Sequence, residues 1–248
     1  MKIKNMLLLP VSANRIYIVT AIAVVISIWV LFTQSSSFQL RMLTPDTSKV
    51  DDSSTLIKAS SVSVDDGISK GKPDAPISII EFGDFQCPYC QSFATDTEPQ
   101  IQTTYIDTGK VKFIFMEYPM QDVHTNAMAA ALAAECANEQ GKFWRYHDIL
   151  YSQQSHWENL DTNEALKILT SFAANAALNV QTFNSCLYSM KYENKINKQI
   201  EEGKSNQIDA TPTLYVGNDK IGYTELSGTY PFAVFQRIID QQLYPLKN

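Results

Sequence analysis

The sequence predicts an α/β fold in the order βαβ, helical block, ββα, preceded by one apolar span near the N-terminus. Three observations predict it. Two short runs rich in β-branched and aromatic residues, 76–85 and 111–118, flank a segment that reads as helix. Helical patterning then continues over about 120–207. After Asp209 come two short strand-like runs and an amphipathic closing helix.

Composition bounds the function classes. The chain has 248 residues, 45% hydrophobic and 19% charged, which permits a sizeable core and excludes bulk disorder. A net charge of −6 and no basic stripe exclude a general nucleic-acid binder. Four cysteines are too few for a disulfide-dense miniprotein. They suffice for a redox site plus one bridge, or for one zinc.

Residues 16–32 (IYIVTAIAVVISIWVLF) carry no charge. As a helix they span about 26 Å, close to a bilayer's hydrocarbon core of ~27–30 Å. Lys2, Lys4 and Arg15 precede them, and the first acidic residue is Asp46. The positive-inside rule puts 1–15 in the cytoplasm and the rest outside. A cleaved signal peptide is the alternative, with Thr33 and Ser35 as the small residues of a cut. The apolar run exceeds the usual ~7–15 residues of such a peptide, which favours an uncleaved signal-anchor. Both readings deliver the chain to a disulfide-permissive space, periplasmic or otherwise extracytoplasmic.

In 33–69, 19 of the 37 residues are Ser, Thr or Asp, so this stretch reads as a flexible tether. The folded domain is expected over 70–248. Pro76 to Phe85 reads as a strand buried on both faces, Pro88 to about Asp107 as a helix, and Val111 to Tyr118 as the next strand, parallel to the first. Ala127, Ala130, Ala131, Ala134 and Ala137 share one helical face. Lys142–Ser152, Asn163–Ala176 and Val180 to about Lys204 read as three further helices. Thr213–Val216 reads as a strand, Gly217-Asn218-Asp219 as a turn, and a second strand is expected near Lys220–Ile221. Tyr230–Leu243 closes the chain as a helix.

The chemistry sits in Cys87-Pro88-Tyr89-Cys90, where a strand runs into a helix. Two cysteines three apart close a disulfide within one turn. At the helix N-terminus the macrodipole and unpaired N–H groups favour the Cys87 thiolate. Cys90, one turn deeper, serves as the resolving thiol, and exchange runs through a mixed disulfide. Pro88 shapes the turn. Zinc uses the same spacing, but Cys136 and Cys186 lie 50 residues apart and form no second such pair. Gln91 stands where c-type haem attachment requires His. His124 reads as a capping or packing residue, His147 as a hydrogen-bonded packing residue and His156 as a loop residue, so no metal is assigned. Thr211-Pro212 precedes a strand; a cis bond there would bring backbone beside the disulfide, where Thr211 pairs with an extended substrate.

The runs GKPDAPISIIEFGDFQCPYCQSF, QGKFWRYHDILY and DATPTLYVG, in that order, resemble the DsbA-like branch of the thioredoxin superfamily. The resemblance covers about Lys70 to the C-terminus. It implies a thioredoxin fold with an inserted helical domain, and exported thiol–disulfide exchange that needs no cofactor beyond the Cys87–Cys90 disulfide. Cys87 would be the nucleophile, Cys90 the resolving cysteine and Pro212 the cis-Pro. Glu81, six positions before Cys87, would be a buried acid exchanging a proton with Cys90. Cys136 and Cys186 look similar to a second disulfide within the helical insert, and an oxidising compartment favours that pairing. Substrates would be unfolded exported polypeptides, and the redox partner a membrane quinone-linked thiol oxidase. Tyr89 departs from the His of the best-known oxidase, offering a hydroxyl where His offers a charge. A reductase or isomerase on the same scaffold, and a peptide-binding chaperone with structural cysteines, are the other readings.

Overall fold

The computed structural model describes residues 56–57, 64 and 66–244. The span 16–32, most of the tether and the last four residues lie outside them. Among the described residues no helix is long and apolar enough to cross a membrane.

Six strands form one sheet: β1 Leu56–Ile57, β2 Ile68–Lys70, β3 Ile77–Gly83, β4 Val111–Glu117, β5 Thr213–Asn218 and β6 Gly222–Ser227, in the order β1-β6-β5-β3-β4-β2. β3 and β4 are parallel, with Glu81 opposite Phe115 and Gly83 opposite Glu117. This is the expected βαβ unit, joined by the helical run 88–106, here α1. Two π-turns, Phe93–Thr97 and Gln102–Ile106, interrupt α1 without ending it. β5 lies antiparallel to β3 on its other side, and β6 antiparallel to β5.

β3 is buried on both faces because its alternating residues serve two apolar clusters. Ile77 and Ile79 join Phe85, Phe113, Phe115, Leu214 and Val216 in the larger cluster. Ile80 and Phe82 join Ile114, Met116 and Tyr215 in the smaller.

The insert comprises α2 Ala127–Glu139, α3 Phe143–Ser152, α4 Thr162–Asn175, α5 Val180–Tyr188 and α6 Glu193–Ser205; α7 Phe232–Leu243 closes the chain. All five alanines of the α2 stripe are buried. α3 seats the insert on the sheet through Phe143 and His147, whose rings contact Phe85 and Phe115. His147 also bonds Asp148 at 2.9 Å, as its packing role requires.

Three expectations need correction. The tether is not featureless to residue 69. β2 pairs with β4 and β1 with β6, so Leu56–Ile57 and Ile68–Lys70 add strands at the two sheet edges. The helix expected over 180–204 is two helices. Met190 adopts φ +53° and its N–H bonds Leu187 O at 3.0 Å, which ends α5 before α6 begins. The last strand is Gly222–Ser227, and Lys220–Ile221 belongs to the turn. Asn218 Oδ1 accepts from the N–H groups of Lys220 and Ile221 and so extends that turn.

Candidate active site

β3 ends at Gly83 and the chain turns through Asp84, Phe85 and Gln86 into α1. Cys87 N–H donates to Asp84 O at 3.1 Å, and Gln86 N–H to Asp84 Oδ1 at 2.8 Å. This delivers Cys87 as the residue capping α1, in extended backbone (φ −73°, ψ 125°), with Pro88 in the first turn. Gln154, from the turn after α3, donates to Phe85 O at 2.8 Å and Cys87 O at 3.1 Å, which holds the turn from the insert side.

The thiols differ in surroundings. Cys90 is fully buried, and its Sγ accepts from Asp84 N–H at 3.4 Å. Cys87 is also buried, at 4% exposure, but its neighbour Tyr89 is strongly exposed. Its Sγ donates to Thr211 O at 3.2 Å. The Thr211–Pro212 bond is cis and places that carbonyl over the sulfur. Gly228 N–H bonds Pro212 O at 2.8 Å, and Thr229 Oγ1 bonds Tyr89 O at 2.7 Å, so the loop after β6 ties the proline loop to α1.

Electrostatics follow the geometry. The Cys90 thiol, the Thr211 side chain and the N–H groups of Cys90 and Tyr89 hold the Cys87 thiol down at about 6, against the opposing effect of burial. Burial first, and then the neighbouring Cys87, push Cys90 well up. Burial, with Glu98 adding repulsion, also pushes Glu81 up. Neither carboxyl oxygen of Glu81 has a hydrogen-bond partner. Such a group carries its proton, because an unpaired buried carboxylate is too costly. Glu81 adds to the upward push on Cys90, and Cys87 adds to that on Glu81, as expected of acids gathered in one site.

The structure thus gathers Glu81, Cys87, Pro88, Tyr89, Cys90, Thr211 and Pro212 at one end of β3. Cys136 and Cys186 are bonded to each other instead, linking α2 to α5 with Cα atoms 5.8 Å apart. Two sulfurs so bonded cannot complete a zinc site with Cys87 and Cys90.

The sequence reading missed Asp84. One oxygen holds Gln86 N–H; the other holds Met120 N–H and His124 Nδ1, both at 2.8 Å. The carboxylate therefore clamps the active-site turn to the entry of the insert, and it draws the His124 pKa upward by hydrogen bonding. His124 is part of this clamp rather than a helix cap, since α2 is entered through Asn126. The available signal was position: an Asp three residues before a helix-capping cysteine is a turn former. Gln86 Oε1, which accepts from Asn126 N–H at 2.7 Å, had no such signal.

Comparison with known proteins agrees with this geometry. A thioredoxin family model matches residues 63–241. A probable disulfide bond formation protein D of Bacillus anthracis is 31% identical over 152 residues, covering 61% of this chain and 70% of that protein. The crystal structure of oxidised BdbD from Bacillus subtilis matches with a TM-score of 0.64 and 27% identity, covering 73% of this chain and 95% of that one. That of Wolbachia pipientis alpha-DsbA1 matches with a TM-score of 0.64 and 26% identity, covering 71% and 90%. The chain also matches Na(+)/H(+) antiporters, such as NhaA 3 of Salinispora tropica (31% identity over 59% of this chain), but spans only 21% of that protein's length.

Proposed function

The chain belongs to the thioredoxin family, in its DsbA-like thiol–disulfide oxidoreductase branch, and we propose that it is a membrane-tethered oxidase giving its Cys87–Cys90 disulfide to exported polypeptides. The observation that carries this direction is the asymmetry of the two thiols under the Thr211–Pro212 loop. Cys87 is favoured as a thiolate and Cys90 as a thiol. Stabilising the reduced pair in this way makes the disulfide an oxidant.

The steps balance as follows. A substrate thiolate attacks Cys87 Sγ, the Cys87–Cys90 bond breaks, and Cys90 leaves as a thiolate that takes a proton from Glu81. A second substrate thiolate then attacks the substrate sulfur of the mixed disulfide, and Cys87 leaves as a thiolate. The substrate loses two electrons to form its disulfide, and the enzyme pair gains them. Thr211 backbone offers edge-strand recognition for the extended substrate, and the exposed Tyr89 ring flanks the point of attack. Reoxidation falls to a membrane quinone-linked thiol oxidase. The apolar span 16–32, with basic residues before it, supports a cytoplasmic N-terminus and an extracytoplasmic catalytic domain. A tether concentrates the enzyme near a membrane partner.

The test is the reduction potential of Cys87–Cys90 in glutathione buffers. A value near about −120 mV marks a disulfide donor; one near about −270 mV marks a reductant and sinks the oxidase reading in favour of a reductase or isomerase.

A further inference from the structure

Glu117 is a fully buried acid that the exchange steps above leave unused. It ends β4 directly opposite Gly83, two positions along from Phe115, the residue opposite Glu81. Glu81, Gly83 and Glu117 therefore share one face of the sheet. From the strand spacing and the rise per residue, positions placed diagonally in this way lie roughly 8 Å apart, within reach of two glutamate side chains. Gly83, having no side chain, leaves room for the Phe115 ring and the end of the Glu81 side chain. A Cβ there would stand 3.1 Å from Glu81 Oε1 and 2.5 Å from the Phe115 ring. The Glu81 carboxyl thus runs along β3 toward Gly83, the residue opposite Glu117, with the Phe115 ring packed beside it.

Beyond Glu117 the polar line continues. Glu135 on α2 is buried, and Lys195 Nζ on α6 stands 2.7 Å from its Oε1. Lys195 is partly exposed. The charged groups facing Glu117 are Glu81 and Asp84 from β3 and its following turn, Glu135 from α2 and Lys195 from α6. The buried Tyr151 hydroxyl of α3, unpartnered, lies in the field of Glu81, Asp84, Cys90 and Glu117. Gln199 of α6 binds the Glu117 backbone N–H at 2.5 Å and fixes that end of β4, while both Glu117 carboxyl oxygens lack hydrogen-bond partners. Burial pushes the Glu81, Glu117 and Glu135 carboxyls upward. A protonated carboxyl can give one proton and accept another, which an amide or an alkyl group cannot do.

We propose that Glu117 is the middle group of a proton path from the surface at Lys195 and Glu135 to Glu81 and Cys90. The inference rests on the oxidase reading. When Cys90 leaves as a thiolate it takes the Glu81 proton. Glu117 then restores Glu81, Glu135 restores Glu117, and solvent at Lys195 restores Glu135. One proton enters for each Cys90 thiol formed, and no electrons move along the path. In the reverse direction the same groups drain the Cys90 proton when the pair is reoxidised. Glu117 touches neither sulfur, so it is a positioning residue that acts through Glu81.

The experiment is single-turnover disulfide transfer from the full chain to a dithiol peptide, across pH and in H2O and D2O. It compares wild type, Glu117→Gln, Glu81→Gln, the double variant and Glu135→Gln. Glu117→Gln should slow the step on the order of tenfold, below the 10²–10⁴ of a directly acting acid–base group. It should also change the solvent isotope effect and the pH profile while leaving the reduction potential unaltered. The double variant should be no slower than Glu81→Gln alone, because one path is cut twice. A Glu117→Gln profile superimposed on wild type, or losses that multiply in the double variant, overturns the proposal. If Glu117→Gln fails to fold, Glu135→Gln carries the test, and a wild-type profile there overturns it. A wild-type chain that transfers no disulfide would sink the oxidase reading itself, a result distinct from any of these.

Discussion

The chain holds two cysteine pairs whose surroundings differ throughout. Cys136 and Cys186 sit in the helical insert, bonded to each other among buried alanines and apolar side chains. Cys87 and Cys90 sit at a strand-to-helix turn, unbonded, with backbone N–H groups, a carbonyl and a buried acid around them. The sulfurs of the first pair are bonded to each other. The second has a helix start for one sulfur and a dry pocket for the other. Whether a cysteine pair is a staple or a reagent is decided by the polar groups placed beside it.

Cys87→Ser should break the comparison most completely. Disulfide transfer to a dithiol peptide should vanish while circular dichroism and the Cys136–Cys186 bond stay intact. Residual transfer by the serine variant would show that Cys90 alone can start the exchange. Replacing both Cys136 and Cys186 with Ala should do the opposite. Opening a loop of 50 residues should cost roughly 3–4 kcal/mol in urea unfolding while turnover at low temperature persists. Loss of turnover without loss of stability would tie the insert bridge to the chemistry.

The smallest effect sharpens the difference through pH. The folded Cys87 thiol titrates at about 6, below the ~8.5 of an unfolded chain. A depressed value adds stability to the reduced protein that is complete above about 8.5 and lost as pH falls through 6. Relative to Cys87→Ser, the reduced wild type should therefore gain stability between pH 6 and 8.5, and its alkylation by iodoacetamide should reach half its plateau rate near pH 6. A midpoint near 8.5 would place Cys87 with the ordinary thiols.

What was legible in the sequence follows the same division. Cys87-Pro88-Tyr89-Cys90 announces its own position, because local rules place a strand before it and a helix after it. Glu81 was legible through the family resemblance, which implies a buried acid six positions before the first cysteine. Asp84, Gln86, His124 and Glu117 were not, because their roles depend on which segments meet across the fold. Asp84 matters only once Met120 and His124 arrive beside it. Glu117 matters only once β4 is set in register with β3. The Val180–Tyr188 helix hid its end because Lys191 and its neighbours carry no Gly or Pro, and Met190 takes the left-handed turn itself. Leu56–Ile57 and Ile68–Lys70 were hidden by the Ser- and Asp-rich sequence around them, where a partner strand decides the outcome more than composition does.

The pairing of β3 with β5 sets an order of assembly. Ile80 opposes Tyr215, so the centre of the sheet is completed only when a strand made roughly 130 residues later arrives. The helices between have local contacts and can condense while the chain is still emerging. Cys87 and the helix it begins are therefore made early, while the proline loop that covers it comes late. A chain still lacking β5 has made its reactive cysteine without the carbonyl that covers it, and pairing of β5 with β3 supplies that cover.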